Sequence, residues 1–310
     1  MSYQEKYRCL FFYPKRKTAY IHRSGAYLRF YQDSVDLLKK IFNRLNLIVD
    51  GIACVRIADP EVLRILIDRL DVDGIGAISE KYVIENQIEV TSLWFYNNTV
   101  IETFDEFERM NVLFKDNNYD GVNLFRNCTS LRSIQLPYTV SFIPVSCFQG
   151  CTNLTNIILQ RGITEIRTNA FRKCSSLKKL IIPDTVIRLG GAAFIDSGIE
   201  VIDLPASVTS IGSSVFNALP TLKTMIIRGE VVKADGTGDG SMFKCWENCT
   251  GLESFVMLSE TPMGFGFWML NGTTCKIYVP DNSVDTYKAA SGWSGLVNRI
   301  LPLSSYSGEL

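Results

Sequence analysis

Apolar residues return along the middle of this chain at a fixed step of 23 residues. Blocks opening at Phe125, Phe148 and Phe171 share one skeleton, Phe-x-x-Cys-x-x-Leu-x-x-apolar-x-apolar. The first places Phe125, Cys128, Leu131, Ile134 and Leu136 on it, the second Phe148, Cys151, Leu154, Ile157 and Leu159, and the third Phe171, Cys174, Leu177, Leu180 and Ile182. A fourth block from Phe194 carries Ser197 in the cysteine slot and loses one residue before Ile199, Ile202 and Leu204; a fifth starts at Phe216 and a displaced sixth at Trp246. Self-similarity at this period is the signature of a solenoid, in which each unit buries its apolar faces only by stacking on its neighbours.

Within a block, the Leu-x-x-apolar-x-apolar stretch predicts a short strand whose alternation sends the named residues inward and the residues between them outward. A turn follows, marked by Pro137, Pro183 or Pro205, and then a second apolar pair such as Val140 and Ile143 or Val208 and Ile211, which closes the coil. The pattern predicts an α+β chain: a leucine-rich-repeat solenoid of about five to six coils with a small N-terminal α/β module and a C-terminal strand-helix cap. The spans are an attachment module over 1–50, a helical region over 51–90, an N-terminal cap over 91–124, the repeats over 125–258 and a C-terminal cap over 259–310. In the first span a hairpin is expected around Tyr13-Pro14-Lys15-Arg16-Lys17, followed by a helix capped by Ser34; a second helix is expected over Asp59 to Leu70 and a strand over Leu93 to Tyr96.

The chain of 310 residues has a formal net charge of zero, so it has no overall attraction to nucleic acid or membrane. Residues 1–31 are the local exception, with seven Lys or Arg against Glu5. Here Arg8, Lys15, Arg16, Lys17 and Arg23 interleave with aromatic residues such as Tyr13, a mixture suited to phosphate contact with base stacking or to a protein docking surface; protein docking is the preferred reading and nucleic acid is disfavoured. No run approaches the length of a membrane span, and the start of the chain lacks the apolar core of a secretory signal, so membrane insertion and export by that route are not expected. Nine cysteines, three of them at the repeat step, read as small buried apolar residues of a reduced chain.

The repeats, with Ile-Gln-Leu-Pro-Tyr-Thr-Val at 134–140, its echo Ile-Asp-Leu-Pro-Ala-Ser-Val at 202–208, and the ending Ile-Tyr-Val-Pro-Asp-Asn-Ser-Val-Asp-Thr-Tyr-Lys at 277–288 followed by Trp293, resemble the BspA-like leucine-rich repeat proteins, many of them surface or adhesion proteins of gut bacteria. The resemblance implies an Asp-rich, EF-hand-like loop upstream. Its remnant starts at Asp71 and Asp73, but Ile75 and Tyr82 stand where a calcium loop needs ligands, so these two are weak metal candidates and a structural turn is the preferred reading. Where secreted relatives carry a signal, this chain has its basic module. That exchange points to a virion or prophage protein, which leaves the cell by lysis.

Candidate chemistry is sparse. His22 is the single histidine and lies far in sequence from every repeat cysteine. Cys147 and Cys245 each stand four residues before a repeat cysteine, yet no further Cys/His pair accompanies them as a zinc site requires. Neither an enzyme nor a cofactor is expected. The outward strand positions are more informative: Gln135, Ile158, Ile181, Asp203, Ile226 and Val256 form one column, and its isoleucines and valine make an apolar stripe beside Lys178, Lys179 and Lys223. Contact with a partner, and packing against a neighbouring side chain or the chain's own N-terminal module, are both compatible with it. The expectation is a recognition or adhesion protein that binds a protein or glycan through Ile158, Ile181, Ile226, Val256, Lys178, Lys179 and Lys223. Its expected setting is host recognition by a phage head or tail; a structural virion protein and a bacterial surface adhesin are the alternatives. Oligomeric state is left open.

Overall fold

The computed structural model describes residues 57–70, 78–90, 94–114, 123–231, 244–264 and 269–310, together with the backbone of five N-terminal strands. Three of those strands, Cys9–Tyr13, Thr18–Arg23 and Ala26–Tyr31, form an antiparallel sheet in which Tyr13 faces Thr18 across the expected hairpin. The third strand was not expected. The helix expected after Ser34 lies outside the described residues, as does the Asp71–Asp73 loop.

The repeats form a parallel β-solenoid with few helices. Asn156–Ile158 pairs with Ser133–Gln135, which sets Ile157 beside Ile134, and Thr103–Phe104 extends that sheet on its other edge. A bridge from Lys179 to Val201 carries the register onward. Val201–Leu204, Thr224–Ile227, Ser254–Met257, Lys276–Val279 and Ile300–Pro302 then run as one parallel sheet. The stack therefore has about eight turns, more than the five to six expected, because both ends contribute rungs of their own. A second parallel sheet, made of Phe142–Ile143, Glu165–Ile166, Arg188–Leu189 and Ser210–Ile211, closes the other side of the coils.

The aromatic slot is the spine of the stack. Phe125, Phe148, Phe171, Phe194 and Phe216 lie face over face with centroids 5.3–5.6 Å apart, and Trp246 continues the line at 5.9 Å. Every ring is fully buried. Phe95 precedes them at 5.1 Å from Phe125 and nearly parallel to it, so the first aromatic rung lies one unit before the first sequence block. This corrects the strand expected over Leu93 to Tyr96: Trp94 to Tyr96 is a turn, and Asn97 just after it has a positive φ of 56°. Each rung adds backbone bonds beside the ring, such as Phe125 N–H to Cys147 O and Phe148 N–H to Ala170 O. To aim them, the residues two before and two after the aromatic turn left-handed in rung after rung, Asn169 and Lys173 around Phe171 for example. A left-handed non-glycine residue costs about 1–2 kcal/mol, and the repeated hydrogen bonds and ring stacks offset it.

The cysteine slot turns out to be polar as well as small. Cys128, Cys151, Cys174 and Cys249 each donate S–H to the carbonyl of an aromatic-slot residue one rung back, at 2.9–3.1 Å. Ser197 occupies the same slot and is buried with no hydrogen-bond partner, its shorter side chain falling short of that carbonyl. At the end of the stack Arg299 takes over this duty, donating to the carbonyls of Thr273 and Cys275. The seven cysteines among the described residues are free and buried. Burial pushes Cys128, Cys245 and Cys249 up to about 12 and raises Cys147, Cys151 and Cys174 as well.

Entry and exit are tied by different means. Asp59 caps the helix Pro60–Leu70 with one carboxylate oxygen and accepts the N–H groups of Glu102 and Thr103 on the first rung with the other. At the exit, Trp293 is fully buried and donates its indole N–H to Met263 O, while the helix Val284–Ala289 packs beneath it through Tyr287.

Two outcomes follow. A methyl group on Gly198 would run into the carbonyl of Ser175 on the preceding rung, at the point where the fourth block is one residue short. Gly198→Ala is expected to lower the unfolding free energy by about 2 kcal/mol or more in urea titrations. The thiols also give a pH signature. Their folded values are raised, so the stability they contribute is complete below the ordinary thiol range near 9 and is lost between about 9 and 12, where the unfolded chain ionises and the folded one cannot. Each thiol contributes a slope of about 1.4 kcal/mol per pH unit in that window. Cys174→Ala should be less stable at pH 8 but should lose stability less steeply than the parent between pH 9 and 11; parallel slopes would contradict this.

Candidate functional site

The outward column of the strand sheet divides into three parts. At its start, Gln135 donates its amide to Glu108 of the entry cap. In the middle, Ile158 and Ile181 stand in the open, 45% and 73% exposed. Beyond them Asp203 accepts two hydrogen bonds from Arg228, at 2.7 and 2.9 Å, a two-point pair that raises the arginine further above its ordinary value.

After that pair the column goes under cover. Ile226, Val256 and Tyr278 form a small buried cluster against Leu258, Leu301, Leu303 and Tyr306. Leu301 is the column's position on the final strand, and Leu303 and Tyr306 belong to the segment that follows that strand and packs against the outside of the sheet. Tyr306 rests 4.9 Å from Tyr278, and the backbone N–H of Ser304 donates to Asp281, holding that carboxyl below its ordinary value. For Ile226 and Val256, expected as contact residues, this is a correction: they pack against side chains of the chain itself. Ile226 and Val256 face outward as the alternation requires, but they are 4% and 0% exposed because a non-repeating segment has found them.

The lysines of the expected set are exposed, with Lys178 3.5 Å from Glu200. Neither Lys179 nor Lys223 has a carboxylate partner among the described residues. Two exposed apolar residues of the strand side were missed in the sequence reading, Val201 in the adjacent column and Tyr138 in the turn after the first repeat strand; Ile187, also exposed, lies beside the second sheet on the other side of the coils. Tyr138 was legible as an aromatic at the same turn position as Arg161 and Asp184, one step apart in each case.

The other expected positions are in the N-terminal strands or outside the described residues. Tyr13 ends the first strand and Arg23 ends the second, pairing through backbone with Thr18 and Ala26. Arg8, Lys15, Arg16, Lys17, Asp71 and Asp73 are outside the described residues. Among the described residues no three His, Cys, Asp or Glu side chains group as a metal site, and no helix is long and apolar enough to cross a membrane. The buried thiols keep their protons at neutral pH and are spent on the carbonyl ladder, so they are poor nucleophiles and poor soft-metal ligands.

Residues 118–236 match the family model of the BspA type leucine rich repeat region, in six copies. Among solved structures, the chain is similar to a leucine-rich repeat protein from Bacteroides ovatus, with a TM-score of 0.44 and 22% identity, covering 63% of this chain and 43% of that one. It thus spans less than half of that protein's length. A leucine rich repeat protein of T. pallidum gives 0.39 and 22%, covering 72% of this chain and 85% of the other. A leucine rich cell surface protein from Faecalibacterium prausnitzii gives 0.30 and 17%, covering 72% and 79%. No curated protein matches.

The covered part of the column yields a direct test. Tyr306→Ser removes the ring that shields Tyr278 and Val256, and should cost about 1–2 kcal/mol while leaving the coils intact. Far-ultraviolet dichroism should stay unchanged while a hydrophobic dye binds newly. Absence of both effects would mean that the tail does not hold this position.

Proposed function

We propose that this chain, whose residues 118–236 are a BspA-type leucine-rich repeat region, is a non-enzymatic recognition protein that binds a protein partner on the outer face of its strand sheet. One observation carries the reading. The outward column is tied to the entry cap at Gln135, buried under the chain's own end at Ile226 and Val256, and left bare at Ile158 and Ile181 in between. Packing against neighbouring rungs cannot account for these two side chains, since they point away from a core that is already closed beneath them by Ile157, Leu159, Leu180 and Ile182.

The surrounding side chains suit a protein more than a sugar. Tyr138 and Arg161 are of the types that anchor protein interfaces, and Val201 widens the apolar centre with Lys178 and Lys179 as a polar rim. Glycan binding is the weaker reading, because among the described residues Tyr138 and Tyr96 are the exposed aromatic side chains. The proposed setting is the one expected from the basic module that heads the chain: a particle protein that meets a host surface, with residues 1–50 as its anchor. A cell-surface adhesin uses the same face. Mass spectrometry of density-purified particles beside washed envelopes of a producing culture separates the two, since each setting enriches the chain in one fraction alone.

The recognition face is tested by a photo-crosslinking residue. Benzoylphenylalanine at position 181 should capture one discrete polypeptide in the native setting, and at Ile84, which is 51% exposed on the short helix Glu80–Glu85, none. Ile181→Asp should keep the fold and lose at least tenfold in binding to the captured partner. Equal capture from both positions, or unchanged binding by the aspartate variant, would remove this face from the function.

A further inference from the structure

Charge is sorted along the solenoid. Residues 123–190 hold nine Lys or Arg against only Glu165 and Asp184, a net of +7. Residues 191–310 hold seven against twelve acids, a net of −5. On the far side, the entry cap presents Glu102, Asp105, Glu106 and Glu108 within one turn. A neutral chain therefore carries a basic island between two acidic ends. The bare isoleucines sit in that island.

The strand face of the island bears Arg132, Lys178 and Lys179 on its outward columns and Arg161 on the following turn, all exposed. One carboxylate, Glu200, reaches Lys178, while Arg132 and Lys179 have no carboxylate partner among the described residues. At rung spacing of about 4.8 Å these cations lie within a Debye length of one another, and their fields add. The same column shows what kind of group seats on it. Beyond the Asp203–Arg228 pair, Ile226, Val256 and Tyr278 are buried against Leu301 of the last strand and against Leu303 and Tyr306 of the short helical turn that follows it.

We propose that the bare middle of the column receives a short, acidic segment of a partner protein, whose apolar side chain seats on Ile158 and Ile181 while its carboxylates meet Arg132, Arg161, Lys178 and Lys179. This rests on the reading above that the face recognises a protein, and adds the chemistry of what it recognises. The chain's own tail is the template for the apolar part. The charge of the island sets the rest, because a neutral segment would leave the cations unpaired and a basic one would be repelled.

The probe is a fluorescein-labelled peptide with the sequence of residues 300–307 in which each serine is replaced by glutamate, beside a second peptide with lysine at the same places. Fluorescence anisotropy against the full chain is read at low and at moderate salt. The glutamate peptide should bind saturably and at least tenfold more tightly than the lysine peptide, weakening with salt. Ile181→Asp, and separately the pair Lys178→Glu with Lys179→Glu, should each weaken it at least tenfold, with the dichroism spectrum confirming that both variants fold. Equal binding of the two peptides overturns the proposal. So does heparin binding that depends on the lysines but not on Ile181, which marks a polyanion surface. Self-association of the chain that the lysine pair dissolves would assign the face to a second copy, and the proposal falls. If Ile181→Asp abolishes binding of the captured partner while the peptides show no preference, the recognition face stands and its acidic partner does not.

Discussion

Everything in this solenoid depends on one aromatic side chain per turn being stacked on the next. The rings set the rung spacing, and the left-handed residues on either side of each ring are tolerable only because the neighbouring rung accepts their hydrogen bonds. A single coil cannot supply that partner. Its left-handed turns would stay uncompensated and its thiol would have no carbonyl to reach, so the fold is held by nearest-neighbour terms that favour a long stack over a short one. The same constraint explains why the ends are elaborate. Asp59 satisfies the first rung and Arg299 the last, each with a charged side chain where the next coil would have brought backbone.

This economy leaves the outside of the sheet to vary. Inward positions are fixed by volume, and turn positions by backbone conformation, but Ile158, Ile181 and the lysines near them have no such duty. The protein covers this column wherever a terminal element can reach it, with Glu108 at one end and Tyr306 at the other. What remains bare is a stretch too far from either end to be covered by the chain's described residues, and it coincides with the basic third of the stack. An exposed apolar centre with a charged rim is costly to keep on an isolated molecule, which is the physical argument for a partner.

The repeating part was legible in the sequence because each slot admits one kind of side chain at one step, so Phe125, Phe148 and Phe171 announce the coils together with their cysteines. Phe95 was not legible. It stands 30 residues before Phe125 instead of 23, and Asn98 replaces the cysteine, so its aromatic neighbours suggested a strand where the chain turns. The second sheet was seen only as an apolar pair, since strands such as Phe142–Ile143 are two residues long and show no alternation. On the candidate face, period 2 placed Ile158, Ile181, Ile226 and Val256 outward correctly. Which of them remain exposed depends on Leu303 and Tyr306, which follow the last strand and obey no period, so no pattern could reveal their contact.

Hydroxyl-radical footprinting of side chains, on the free chain and on the chain in its native particle or envelope, tests the central claim most directly. In the free chain Tyr138, Ile158 and Ile181 should be oxidised readily while Ile226, Val256 and Tyr278 are protected; in the native setting the first three should become protected as well. Oxidation of Val256 in the free chain, or undiminished oxidation of Ile181 in the native setting, would contradict the account.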